Sequence, residues 1–587
     1  YSSENMTLYS AIISSQTYSD GSALDINVSG NLEFYGLCSI TSQGLVTITV
    51  ESIIVRNSSL AILATGCGHI IIDSNLEVED SVVSIAAYSE ETTCPGLSGV
   101  VITKVEGVTC SVRESSIIQI IGEVSGDETI PISRPSGVIL DHISWQGDGT
   151  SAIFIQGTSV SKVGQSAGVQ ILSNEIPADF ELFTVDGAVS HTIPDVSDTI
   201  GVYINGSVIT GGSFSSNIHS ISCSDIIGIE ILNSQFLYTI FSSELLDITL
   251  PAVPVANIAG IYAEGAEFTL TSATSALNFI QSDAQNHTVL GIHVNVDFTV
   301  FLANFTAIAS GLDEIVGVQL ESPDVLNFAD LITIDSTVTN SMNSFGAIIQ
   351  PYSAVRGIVL DNFSIQASGS TGIYFGRVEL DGSGTIIGTG TSHEGIVFEN
   401  SIIYPTNQTF VGTSEYSSGI YIHSSTSILF PLDTTCTVQF NGSGLNETSN
   451  VVIPTGATIS LPSANSKFQC DNGITVHGPL NLFGGFAIFR GPVTVEGQFG
   501  ATAGVTSTHS IIATSMYLSG LNHELCGTFT STGDAISLGY QSYLCTNSPE
   551  KSVRFVSQNR VNFGPVEATE DVSIYINSKT VNLGEVN

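Results

Sequence analysis

Gly201-Val202-Tyr203-Ile204-Asn205 carries the pattern that organises the middle of the chain. Its form is Gly, then Val or Ile, then any residue, then an apolar residue, and usually Asp, Glu or Asn. It returns at Gly137 (GVILD), Gly168 (GVQIL), Gly228 (GIEIL), Gly260 (GIYAE), Gly291 (GIHVN) and Gly317 (GVQLE). Further copies stand at Gly357 (GIVLD), Gly372 (GIYFG), Gly395 (GIVFE) and Gly419 (GIYIH), with a weaker one at Gly346 (GAIIQ). Neighbouring copies are mostly 23 to 33 residues apart, although those at Gly346, Gly357 and Gly372 crowd together. Strand-forming residues at a near-constant period mark a solenoid whose repeats stack on one another.

Within each copy the period is two. Val138 and Leu140, Val202 and Ile204, Ile292 and Val294, and Ile373 and Phe375 are apolar, while Gln170, Tyr203, Glu230, Tyr262, His293 and Gln319 stand between such pairs. This alternation predicts two inward side chains and one outward on a strand with one wet face. Roughly 28 residues per copy leave room for three short strands and three turns, as in a parallel β-helix. At ~4.8 Å per rung, about twenty rungs would make a stiff rod of roughly 100 Å.

Three regions are expected. Residues 1–130 read as irregular rungs closed by disulfides, with strands at Ala23–Val28, Leu45–Val55, His69–Ile72 and Val82–Ile85. Residues 131–430 are the regular array, interrupted by loops at Ile176–Asp198 and Thr249–Asn257. Residues 431–587 form a C-terminal β region, either continued helix or a separate domain, entered through a loop or junction at Thr434–Ser466.

The glycine array resembles the right-handed parallel β-helices of the pectin-lyase-like superfamily and their non-enzymatic surface-protein relatives. The resemblance covers about 300 central residues as a repeat pattern. It implies an all-β fold, a right-handed solenoid of three sheets, and does not by itself imply catalysis.

Apolar residues make up 42% of the 587 residues and charged ones only 12%, a β-sheet composition with room for a large core. A net charge of −42 opposes nucleic acid and anionic membrane as partners, and no apolar run is long enough to span a bilayer. The chain starts at Tyr1, which reads as a mature, processed protein.

Cysteines cluster toward both ends: Cys38, Cys67, Cys94 and Cys110, then Cys436, Cys470, Cys526 and Cys545, with Cys223 alone between them. Two even groups point to disulfides in an oxidised, extracellular protein, and sequential pairing is expected. Sequons stand at Asn5, Asn27, Asn57, Asn205, Asn286, Asn304, Asn362, Asn407, Asn441 and Asn446. In a chain so rich in Ser and Thr their number is near chance, so they are glycan candidates only through the secreted composition.

The superfamily's galacturonase-like set (Asn-Thr-Asp, Asp-Asp, Gly-His-Gly, Arg-Ile-Lys) is absent. A lyase needs bases, and the array has only Lys162, Arg356 and Arg377, with Arg134 at its edge. The fifth motif position reads Asp141, Leu172, Asn205, Leu232, Glu264, Asn295, Glu321, Gln350, Asp361, Gly376, Glu399 and His423. Stacked carboxylates there would suit a glycosidase pair or Ca²⁺, but turn residues and avoidance of like charge explain the column more simply. Tyr203, Tyr262, Tyr374 and Tyr421 in the outward column offer a contact face. No catalytic residue, metal site or cofactor is assigned.

The expected function is a secreted structural subunit of a filament, hair or surface coat. Its partners would be copies of itself or other filament subunits, paired through Met6–Ser15 and Val572–Leu583. The alternatives are an adhesin or glycan-binding spike, using the tyrosines or the Ile176–Asp198 loop, and less favoured, a glycoside hydrolase.

Overall fold

The computed structural model describes residues 5–15, 23–88, 99–104, 107–125, 136–160, 166–177, 180–190, 199–219, 225–250, 257–282, 288–295, 301–310, 314–321, 326–339, 343–351, 358–404, 407–414, 416–417, 419–422, 426–428, 437–443, 451–453, 457–460, 467–470, 474–520, 522–539, 542–545, 552–568 and 572–583. It is an all-β parallel β-helix. Ser136–Asp141 pairs with Ser166–Leu172, Ile143–Gln146 with Glu175–Ile176, and Ala152–Val160 with Leu182–Ser190, all parallel. Each strand thus finds its partner three strands later, and three strands make a rung. The motif strands stack as a first sheet; the strands after them build a second and a third.

Inward positions fill the interior. Val202 and Ile204 are fully buried, as are Val138, Leu140, Ile373 and Phe375. Trp145 is also a core residue, its Nε1 donating to Asn174 Oδ1 at 3.3 Å. Its ring meets Phe183, and the aromatic contacts continue through Phe214 and Phe241 to Phe268.

The motif glycine closes a corner. In register, the third sheet carries Ala87, Gly122, Gly157, Gly187, Ser216, Ser243 and Ser275 as one column of small residues. A Cβ on Gly201 would lie 1.8 Å from Ser216 Oγ and 2.6 Å from the Gly228 carbonyl oxygen, so the two sheets meet where no side chain fits.

The structure departs from the sequence reading at several points. Gly346, the weaker copy, belongs to the first-sheet column, because Ala347 pairs with Ile373 and Phe345 with Thr371. The residues after Gly357 do not: Ile358–Gly369 pairs with Val378–Leu380 and Gly384–Gly390 of the other two sheets, which explains the crowding. Ile176–Asp198 is no simple loop; its LFTVDGAVS alternation forms the third-sheet strand Leu182–Ser190. Thr434–Ser466 likewise contains Thr437–Ser443, Val451–Ile453 and Ala457–Ser460. The residues between inward pairs are half-buried rather than wet, and Gln170 is buried.

The chain forms two compact units, Tyr1–Gln319 and Leu320–Asn587. In the second, parallel pairing runs on to Ser573–Asn577 and Thr580–Leu583, so the C-terminal region is continued helix. Its rungs tighten: the rung partners Ile474, Val493 and Ile511 are 19 and 18 residues apart, against 33 for Val169 and Val202.

Candidate functional site

In the first unit both expected columns exist in register. Gln170, Tyr203, Glu230, Tyr262 and His293 face one another along successive strands, and beside them run Asp141, Leu172, Asn205, Leu232, Glu264 and Asn295. The tyrosines are tied down. Tyr262 donates to Glu264 Oε2 at 2.8 Å, Asn205 Nδ2 donates to the Tyr203 hydroxyl at 3.3 Å, and both rings pack against Ala167, Ile200 and Ile227. Tyr262 also meets the His293 ring edge-on, at 5.1 Å between centroids.

The second unit repeats the device. Tyr374 and Tyr421 flank Val397 on successive strands, and Tyr374 donates to Glu399 Oε2 at 2.8 Å. Burial, then the Glu399 contact, push the Tyr374 hydroxyl up to about 12. Glu321 accepts from Gln350 Nε2 at 3.5 Å, and Glu399 stands opposite Gly376. Glu264 stands between Leu232 and Asn295. The register therefore places no two of these described carboxylates on adjacent strands of a column. His423 and the side chain of Asp361 lie outside the described residues.

A polar groove that the sequence reading missed lies on the second sheet of the first unit. It has a volume of about 280 Å³ and is lined by Arg56, Asn75, Glu77, Glu79, Thr109, Ser111, Arg113 and Gln146. Arg56 reaches Glu79 at 3.1 Å and Glu77 at 3.6 Å, across one rung step. The signal was two of the 13 basic residues at outward strand positions beside acids, legible only once rungs are aligned. Nearby, Asp148 caps a turn: against a desolvation that raises it, bonds from the Glu114 and Thr150 amides and the Thr150 and Ser151 hydroxyls hold its carboxyl down at about 2.

The cysteines pair differently from the sequential scheme. Cys526–Cys545 is a disulfide, as expected, and Cys67 is disulfide-bonded. Cys38, Cys110 and Cys470 are buried thiols, which overturns their candidacy. Cys38 Sγ lies 3.4 Å from the Tyr35 carbonyl oxygen, and Cys110 faces inward between Leu76 and Trp145, where burial pushes its thiol up. Inward strand positions face the core, and proximity in sequence does not bring them together. Cys94, Cys223 and Cys436 lie outside the described residues.

Among the sequons, Asn5, Asn27, Asn57 and Asn362 are exposed and Asn205 is half-buried. Asn286 and Asn446, and the side chains of Asn304, Asn407 and Asn441, are outside the described set. Among the described residues no group of three His, Cys, Asp or Glu could hold a metal ion, and no helix is long and apolar enough to cross a membrane.

The fold defines the chain as a β-solenoid of the parallel β-helix class. No family model, no curated protein and no solved structure matches it.

Proposed function

We propose that the chain is a secreted structural subunit of an extracellular filament, hair or surface coat, built end to end. We place it with the non-enzymatic branch of the pectin-lyase-like right-handed β-helices, on the repeat pattern. Exposed Asn5, Asn27, Asn57 and Asn362 are the sequons we assign to glycans.

One observation carries the reading. Ile574, Ile576, Val581 and Leu583 stack in register on buried Val553, Phe555, Val561 and Phe563, yet are themselves 36 to 62% exposed. In the first unit Met6 stands on buried Leu32 and is 37% exposed. A further rung would cover these side chains, whether supplied by more of the same polypeptide or by a second copy, and we take it to be a second copy. The separation of the described column carboxylates, with the absence of the galacturonase-like set from the sequence, supports a non-catalytic role.

Negative-stain imaging of the native protein over a concentration series tests this. Filaments with a regular axial repeat are expected, and Ile574→Asp/Ile576→Asp should abolish them. Isolated particles at every concentration would sink the reading. A glycan-binding spike is the second reading, favoured by the Arg56 groove; glycan-array signal lost in Arg113→Ala would support it.

A further inference from the structure

In the first unit the outward face of the third sheet carries almost no charge over its first three columns; the fourth holds the exposed Glu123 and Glu244. One register column runs Leu37, Ser59, Val82, Ile117, Ala152, Leu182 on successive rungs. Two residues along the same strands a second column runs from Ile12 through Gln119 and Phe154 to Ile240. Neither contains an ionisable residue. The third column, from Ser14 to Ser242, holds Asp186 alone, which accepts from Ser215 Oγ at 3.1 Å. Leu37 is 76% exposed, Val82 46%, Leu182 42% and Ile240 53%, an unusual density of apolar surface for a chain with 55 acidic residues.

Past Leu182 the first column is broken. The next third-sheet strand starts only at Ser213, and Gly211 and Gly212 leave a notch of about 220 Å³ bounded by Phe180, Leu182, Phe183, Tyr238 and Ile240.

We propose that this face is the contact surface of a two-fold dimer of the chain, with the rungs of the two copies in opposite order. A two-fold axis lying in the interface along Ile117–Ile121 keeps each of the three columns facing itself and reverses its rungs, with Glu123, one column further along that strand, meeting its own copy at the edge of the contact. Leu37 then meets the Gly211–Gly212 notch, Ser59 meets Leu182, Val82 meets Ala152, and Ile117 meets its own copy. In this first column a large side chain faces a small one at each step away from the axis, while at the ends of the second column Ile12 faces Ile240. In the second column Phe154 likewise meets Ser84.

Area and charge agree with a second copy as the occupant. Nine rungs by three columns give a face of roughly 43 by 20 Å, about 850 Å² per copy, against about 800 Å² per partner in stable complexes. The second-sheet face instead carries Glu77, Glu79, Glu175 and Glu267, and two copies meeting there would oppose carboxylates. This lateral contact goes beyond end-to-end assembly and uses none of Met6, Ile574, Ile576, Val581 or Leu583, the residues on which that assembly rests.

Cysteine crosslinking of the full chain is the test, with the unsubstituted chain as control for native cysteines. Gln119→Cys sits on the axis and should crosslink to its own copy under mild oxidation. Ser39→Cys and Ser213→Cys should crosslink only when mixed. Val82→Asp/Leu182→Asp should weaken dimerisation at least about tenfold in sedimentation equilibrium. A Gln119→Cys chain that stays uncrosslinked, or a Ser39→Cys chain that crosslinks to itself, would overturn the proposal. Adding Ile574→Asp/Ile576→Asp should leave the Gln119→Cys crosslink intact, which separates this contact from the ends.

Discussion

His523 is enclosed in the continued helix, where its Nδ1 accepts the Val505 amide hydrogen at 3.1 Å. Burial disfavours the imidazolium and pushes the group from 6.5 down to about 4. The unfolded chain therefore takes up this proton at a higher pH than the folded one. The neutral ring's contribution is fully present above about pH 6.5 and is lost as pH falls toward 4, up to about 3 kcal/mol in all. Denaturant midpoints measured from pH 7 to pH 4 should fall in the natural chain. In His523→Gln, which keeps an acceptor but does not titrate, that part of the slope should vanish. An identical slope in both chains would assign the acid sensitivity to other groups.

At the scale of the strand and corner, Gly201→Ala should destabilise the first unit by about 1–3 kcal/mol, the range for a methyl forced into a filled site. Ser216→Gly in the same chain removes the 1.8 and 2.7 Å clashes and leaves the Gly228 carbonyl at 2.6 Å, so the double variant should recover part of the loss. Urea unfolding of the four chains of that cycle measures it. The corner also shows what a sequence can and cannot convey. Val202 and Ile204 were legible as core because strand period is local. The reason for Gly201 was not, because its neighbour Ser216 lies on another sheet, and the column it joins shows as small residues only once register is known. The GIVLD copy at Gly357 repeats the motif by composition, while Ile358–Gly369 serves the other sheets. Pro177 and Pro194 disguised Leu182–Ser190 as a loop although its alternation was in plain view. Among the candidate sites, the tyrosine and acid columns followed from stacking motif upon motif. The Arg56 groove and the unpaired thiols of Cys38 and Cys110 depend on which rungs meet, a relation between residues about twenty to thirty-five positions apart.

For the whole molecule, a net charge of −42 sets the sign of its response to salt. Copies approaching through apolar ends or through the uncharged flank gain contact area while their remaining carboxylates repel. At ~0.01 M salt that repulsion reaches about 30 Å and at ~0.15 M only about 8 Å. Both proposed contacts should therefore tighten as salt rises, by an apparent tenfold or so across that range. Sedimentation velocity at fixed protein concentration reads this directly. A contact held by the few basic side chains would behave oppositely, because screening would weaken the attraction that made it. Association that falls as salt rises would thus count against the ends and the flank together, and would turn attention to the Arg56 and Arg113 groove meeting an acidic surface.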